Sequence, residues 1–141
     1  MSDYLTYDVW FPLSNRVDDG GLDNLSEDQQ TLYLCFDFVC QIDNGGLSGY
    51  GYNADASERK ALVFALGRIG ASLSADLMRR ANDILDSPVP TETAKTWEQF
   101  LAFVDPDHEL DRIDESLVDQ IESEGVRDAV DALAARLNES S

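Results

Sequence analysis

Residues 41–53 read Gln41-Ile42-Asp43-Asn44-Gly45-Gly46-Leu47-Ser48-Gly49-Tyr50-Gly51-Tyr52-Asn53, with four glycines in seven positions. A glycine-rich run of this kind has two physical readings, and they lead to different folds. Between a strand and a helix it cradles phosphate on its backbone amides and belongs to an α/β protein. After a helix it turns the chain and belongs to a helical protein. A phosphate-binding loop needs a lysine directly after its second glycine, and no Lys or Arg stands between Arg16 and Arg59. A dinucleotide fingerprint needs a preceding strand, whereas Leu32, Phe36 and Val39 step by three and four. Asp43 would also repel a phosphate. The run is therefore read as a structural turn. Asn44 and Gly45 take the positive φ that ends a helix, Gly46 lets the chain double back, and Leu47, Tyr50 and Tyr52 follow as a short aromatic turn.

Working outward, helical spacing continues in both directions. Trp10, Leu13 and Val17 form one stripe, in which Pro12 is tolerable in a first turn. Asp18-Asp19-Gly20-Gly21 ends that element. Ser26 with Gln29 reads as a capping box opening the helix that holds Leu32, Cys35, Phe36, Val39 and Cys40. Asp55 or Ser57 caps a helix with Ala61, Leu62, Ala65, Leu66 and Ile69 inward, and Gly70 stops it. Ser74 is expected to cap the next, with Leu77, Ala81, Ile84 and Leu85 inward and Arg79-Arg80 outward. Beyond Pro88 and Pro90, Thr91 is expected to start a helix carrying Trp97, Phe100, Leu101 and Val104, stopped by Asp105-Pro106. Leu110, Ile113, Leu117 and Ile121, then Val126, Val130, Leu133, Ala134 and Leu137, complete the pattern. No run of alternating β-branched residues interrupts it. The reading is an all-α single domain, residues 1–141, of about six or seven helices.

The outlying number is charge. The chain carries 28 Asp and Glu against 10 Lys and Arg, a formal net charge of −18. Residues 1–28 hold seven acids against Arg16, and residues 105–124 hold nine against Arg112, while residues 54–86 balance at five and five. Such a field repels nucleic acid and anionic membranes and attracts basic partners. The absence of a signal-peptide pattern or an ~18-residue apolar span leads to an expectation of cytoplasmic residence.

Little points to catalysis or metal chemistry. Cys35 and Cys40, five apart on a helix, face different ways and read as small apolar residues. The acidic segment starting at Asp105 puts Leu110 and Ser116 where a calcium loop needs its glycine and its bidentate glutamate. His108 is the only histidine, so a zinc site would rest on carboxylates and distant cysteines. No Gly-x-Ser-x-Gly elbow is present. No enzyme, cofactor or metal is expected.

A carboxylate row is the more informative feature. If 107–122 is helical, Asp107, Asp111, Glu115 and Asp119 stand four apart on one face, with Glu122 close by and Leu110, Ile113, Leu117 and Ile121 opposite. Neighbours on such a face lie roughly 5–6 Å apart, and duplex phosphates advance about 3.4 Å per base along one strand. Such a row could occupy the lysines and arginines that otherwise grip DNA. Asp114 adds to it, and Asp18, Asp19, Asp23, Glu27 and Asp28 form a second cluster.

Several segments resemble one bacterial family. Leu25-Ser26 to Leu34, Cys40 to Leu47, Tyr50 and Asn53 are similar to the family typified by DNA mimic protein nineteen, whose hallmark is a helix running into Asn-Gly-Gly, an aromatic pair and an Asn. Ala61-Leu62, Ile69-Gly70-Ala71, Arg80-Ala81 and Leu110 to Asp114 also resemble it, so the likeness spans about Trp10 to Leu137. Asp43 and Leu47 depart from the family's usual Asn and Phe, and Gly49 and Gly51 loosen the run. The resemblance implies an acidic, all-helical, dimeric protein that occupies the DNA-binding surface of a transcription factor, with no direct nucleic-acid or membrane contact. Two other functions suit the charge: an immunity protein that neutralises a basic toxin such as a nuclease, and a housekeeping protein from a high-salt source.

Overall fold

In the computed structural model, which describes residues 2–90, 92 and 94–140, seven α-helices surround one core and no strand occurs among the described residues. They are α1 (Ser2–Gly20), α2 (Glu27–Asn53), α3 (Ala56–Arg68), α4 (Ser72–Leu85), α5 (Trp97–Val104), α6 (Glu109–Ser123) and α7 (Val126–Ser140), with a 3-10 turn at Leu22–Asn24 between the first two. The all-α reading holds. The long α2 is the hub: α1, α3, α6 and α7 all pack on it, while α3 lies on α4, α4 on α6, and α1 on α7.

Two helix ends follow the sequence reading closely. At the start of α2, the Ser26 hydroxyl accepts from the Gln29 amide at 3.2 Å and the Gln29 side chain accepts from the Ser26 amide at 2.9 Å. Each satisfies a donor the helix cannot. Asp55, and not Ser57, caps α3 by accepting from Glu58. That helix ends at Gly70, whose φ of 83° places it in the left-handed region. The Ala71 amide returns to the Leu66 carbonyl and the Gly70 amide to Gly67, the paired bonds of a Schellman end.

Elsewhere the chain departs from expectation. Pro12 lies well inside α1 rather than in a first turn. Its missing N–H and its ring are accommodated in a helix held by tertiary contacts: Trp10 stacks on Tyr33 with ring centres 6.0 Å apart, and Thr6 donates to Asp131 on α7 at 2.6 Å. Ser74 does not cap α4, which begins at Ser72. Thr91 lies outside the described residues, and the helix carrying Trp97 opens at a Thr96–Gln99 capping box.

The largest correction concerns the glycine run. It does end the first helical run, but at Gly46 and not at Asn44–Gly45. Asn44 and Gly45 keep negative φ, and Gly46 alone takes a φ of 67° with an extended ψ of −169°. Helical structure then resumes through Asn53, so α2 is a bent helix with arms at 27–45 and 47–53. Burial supplies the reason. Leu47 and Tyr50 are each 1% exposed, and Tyr50 meets Phe38 edge-on at 5.2 Å. The second arm is an amphipathic turn of core helix, and the expected aromatic loop does not form.

Candidate acidic binding surface

The acidic helix α6 is built from its ends inward. Asp105 is buried and spends both carboxylate oxygens on the orphan amides of the first turn, at 2.8 Å to Glu109 and 2.9 Å to Leu110. His108, in the left-handed region at φ 57°, is the residue at the cap position. Leu110, Ile113, Leu117 and Ile121 are all buried, which fixes the rotation of the helix and turns Asp111, Glu115, Asp119 and Glu122 to solvent. Asp107 does not belong to that row. It sits in the turn before the helix, exposed, with its carbonyl accepting from Arg112.

Asp114 also has another task. Its side chain reaches the bend in α2, where one oxygen accepts the Leu47 amide at 2.8 Å. The extended ψ at Gly46 releases that amide from the helical ladder, so a carboxylate from 67 residues away replaces the lost acceptor. A methyl group at Gly46 would meet the same oxygen at 3.2 Å. The partner-facing role expected of Asp114 is thereby joined to a structural one. Asp43, at the other side of the bend, forms a two-bond pair with Arg127 on α7 at 2.7 and 2.8 Å.

The second cluster lies where α1 hands over to α2. Asp18 and Asp19 are exposed in the last turn of α1, Asp23 is exposed in the 3-10 turn, and Glu27 and Asp28 are exposed in the first turn of α2. Glu27 and Asp28 suit the positive end of a helix, whereas Asp18 and Asp19 face the negative end, a placement that costs about 0.3–1 kcal/mol per charge. The two acidic clusters are carried on different supports: α1 packs on α2 and α7, and α6 on α2, α4 and α7.

Three features escaped sequence reasoning. Glu124, at the end of α6, caps α4 from outside. Its carboxylate accepts from the Leu73 amide at 3.0 Å, the Ser74 amide at 2.8 Å and the Ser74 hydroxyl at 2.7 Å. Partial burial pushes its acidity one way, but these three bonds outweigh it and hold the carboxyl below the usual glutamate range. Asp37 and Glu58, between α2 and α3, move the opposite way. Burial raises both, and Asp37 and Asp55 raise Glu58 further. Cys35 is fully enclosed and burial pushes its thiol up to about 12, which fits an inert core residue.

The third is a cleft of about 360 Å³ bordered by the bend of α2, by α5 and by the start of α6. Among the described residues no group of three or more His, Cys, Asp or Glu could hold a metal ion, and no helix is long and apolar enough to cross a membrane.

A family model described as DMP19-like protein matches residues 23–138. The chain belongs to the DMP19-like family. That family is one of DNA mimics, and the match covers both arms of α2, the residues lining the cleft and α6, leaving residues 1–22 and 139–141 outside. No match was found among curated proteins or among solved structures.

Proposed function

We propose that this protein binds a basic DNA-binding protein, such as a transcription factor, on the surface that otherwise holds DNA. The observation that carries the reading is the solvent face of α6. Asp111, Glu115 and Asp119 stand at successive four-residue steps with Glu122 close by, and four buried apolar residues hold the helix that bears them. Carboxylates on a fixed helix lose little conformational freedom on binding, unlike those of a flexible acidic tail. Membership of a DNA-mimic family supports the same direction. Asp18, Asp19, Asp23, Glu27 and Asp28 supply a second anionic patch, and the function is one of occupation, without catalysis, in the cytoplasm where such a partner works.

The test begins with capture of partners from the source lysate at low salt, release at high salt, and identification. A released DNA-binding protein is then mixed with its own labelled duplex and increasing amounts of this protein. Displacement of the duplex, weakening steeply as salt rises, supports the reading. Replacing Asp111, Glu115, Asp119 and Glu122 together by Lys should abolish displacement. A captured protein that keeps its DNA, or displacement unchanged by the fourfold reversal, refutes it. A captured nuclease would redirect the function to toxin neutralisation.

A further inference from the structure

The glycines of the bent helix α2 hold an unexplained cost. Gly46 is accounted for by its left-handed φ. Gly45 and Gly49 are not: both have ordinary helical backbone, and a Cβ at either would meet no atom within 4 Å. Inside the second arm, Gly49 lowers helix stability by about 1 kcal/mol relative to alanine, and at neither position does a neighbour within the chain take up the space. The surface around them shows what the bare backbone adjoins. Gly45 lies on three neighbouring clefts, and Gly49 on two of them. One wall is aromatic. Tyr52 is 64% exposed and stands edge-on to Trp97 at 5.5 Å, and the Trp97 indole N–H is held by the Ser48 hydroxyl. Glu98 is exposed beside them and lines the same cleft as Tyr52 and Trp97. None of the residues lining the three clefts is a Lys or an Arg.

We infer that this glycine-floored cleft is an arginine-binding groove, in which an extended arm of the basic partner lies along the bare backbone at Gly45 and Gly49 with a guanidinium against Tyr52 and its charge met by Glu98. The chemistry selects the occupant. An exposed aromatic ring draws a cation that is weakly hydrated and planar, which describes arginine better than lysine. The Glu98 carboxylate at the rim supplies the counter-charge, and the missing side chains at 45 and 49 let a main chain come close. The inference rests on the proposed binding of a basic protein but locates a second contact, separate from the outer row of α6.

Nona-arginine and nona-lysine peptides serve as probes, titrated into the isotopically labelled protein and followed by amide and indole shifts. Nona-arginine should move Gly45, Gly49 and the Trp97 indole more than Asp119 and Glu122, and should bind at least several-fold more tightly than nona-lysine. Filling the floor with Gly49→Leu, or removing the ring with Tyr52→Ala, should weaken nona-arginine about tenfold, while Gly67→Ala, at an equally open helix glycine outside the clefts, should change nothing. Equal shifts across all acidic surfaces, no preference over lysine, or unaltered binding by Gly49→Leu would each overturn the groove. The two readings separate cleanly: if Gly49→Leu leaves duplex displacement intact while the α6 reversal abolishes it, the groove falls and the mimic stands. The opposite pattern removes the mimic and keeps the groove.

Discussion

At the scale of single residues, acids that look alike in sequence divide by what they touch. Asp105, Asp114 and Glu124 are bound to backbone amides and belong to the fold, while Glu115 and Asp119 are exposed. Asp114→Ala should therefore cost about 1–2 kcal/mol in urea denaturation, because it strands the Leu47 amide, whereas Glu115→Gln should stay within about 0.5 kcal/mol. Asp18 and Asp19 give the reverse signature. They oppose the dipole of α1, so the double change to Asn should leave stability equal or raise it by up to about 1 kcal/mol while lowering affinity for a basic partner. A binding assay alongside thermal melts checks both halves. Helical period separates the exposed Asp111, Glu115, Asp119 and Glu122 in the sequence, but it does not reveal the amide-binding roles of Asp114 and Glu124. Those two roles depend on amides brought from α2 and α4, tens of residues away, whereas Asp105 serves amides four and five residues on.

Among the elements, the legible part was the apolar stripe. The pattern from Leu110 to Ile121 identified a helix and its buried face, all four residues proving buried, because period and burial are both local properties. Caps fared unevenly for the same reason. The Ser26 and Gly70 signals act within a few residues and were readable, but Ser74 was read as a cap when the capping oxygen belongs to Glu124. Glu124→Ala should cost about 1 kcal/mol near neutral pH. Because the folded state holds this carboxyl below its ordinary value, its stabilisation is complete above the unfolded pKa and is lost as pH falls through the folded one. The gap between wild type and Glu124→Ala should accordingly close in acid, as urea midpoints across pH would show. Asp37 has the opposite slope. Its raised carboxyl means the folded state binds a proton first, so stability should rise as pH is lowered through the raised value to the ordinary carboxylate range, and Asp37→Asn should flatten that rise. The glycine run is half legible: Asn-Gly-Gly signals the break that Gly46 makes, but only burial of Leu47 and Tyr50 against the core makes helical structure resume.

For the molecule as a whole, the net charge of −18 opposes folding through self-repulsion, which dissolved salt screens. The thermal midpoint should rise by several degrees between about 0.01 and 0.5 M NaCl, while affinity for a basic partner falls over the same range; a midpoint indifferent to salt would contradict this. Such opposed trends would separate the acidity that serves binding from the packing that serves stability. The bend at Gly46 sets a further limit. A straight helix of 27 residues would measure about 40 Å, roughly the full width of a compact chain of this size, whose radius of gyration is about 14 Å. Broken at Gly46, the rod becomes a two-armed lever whose pivot is clasped by α6. The short arm is thus metrically strict: one residue inserted between Leu47 and Asn53 would swing everything after it through about 100°, so this stretch should tolerate substitution far better than any change in length.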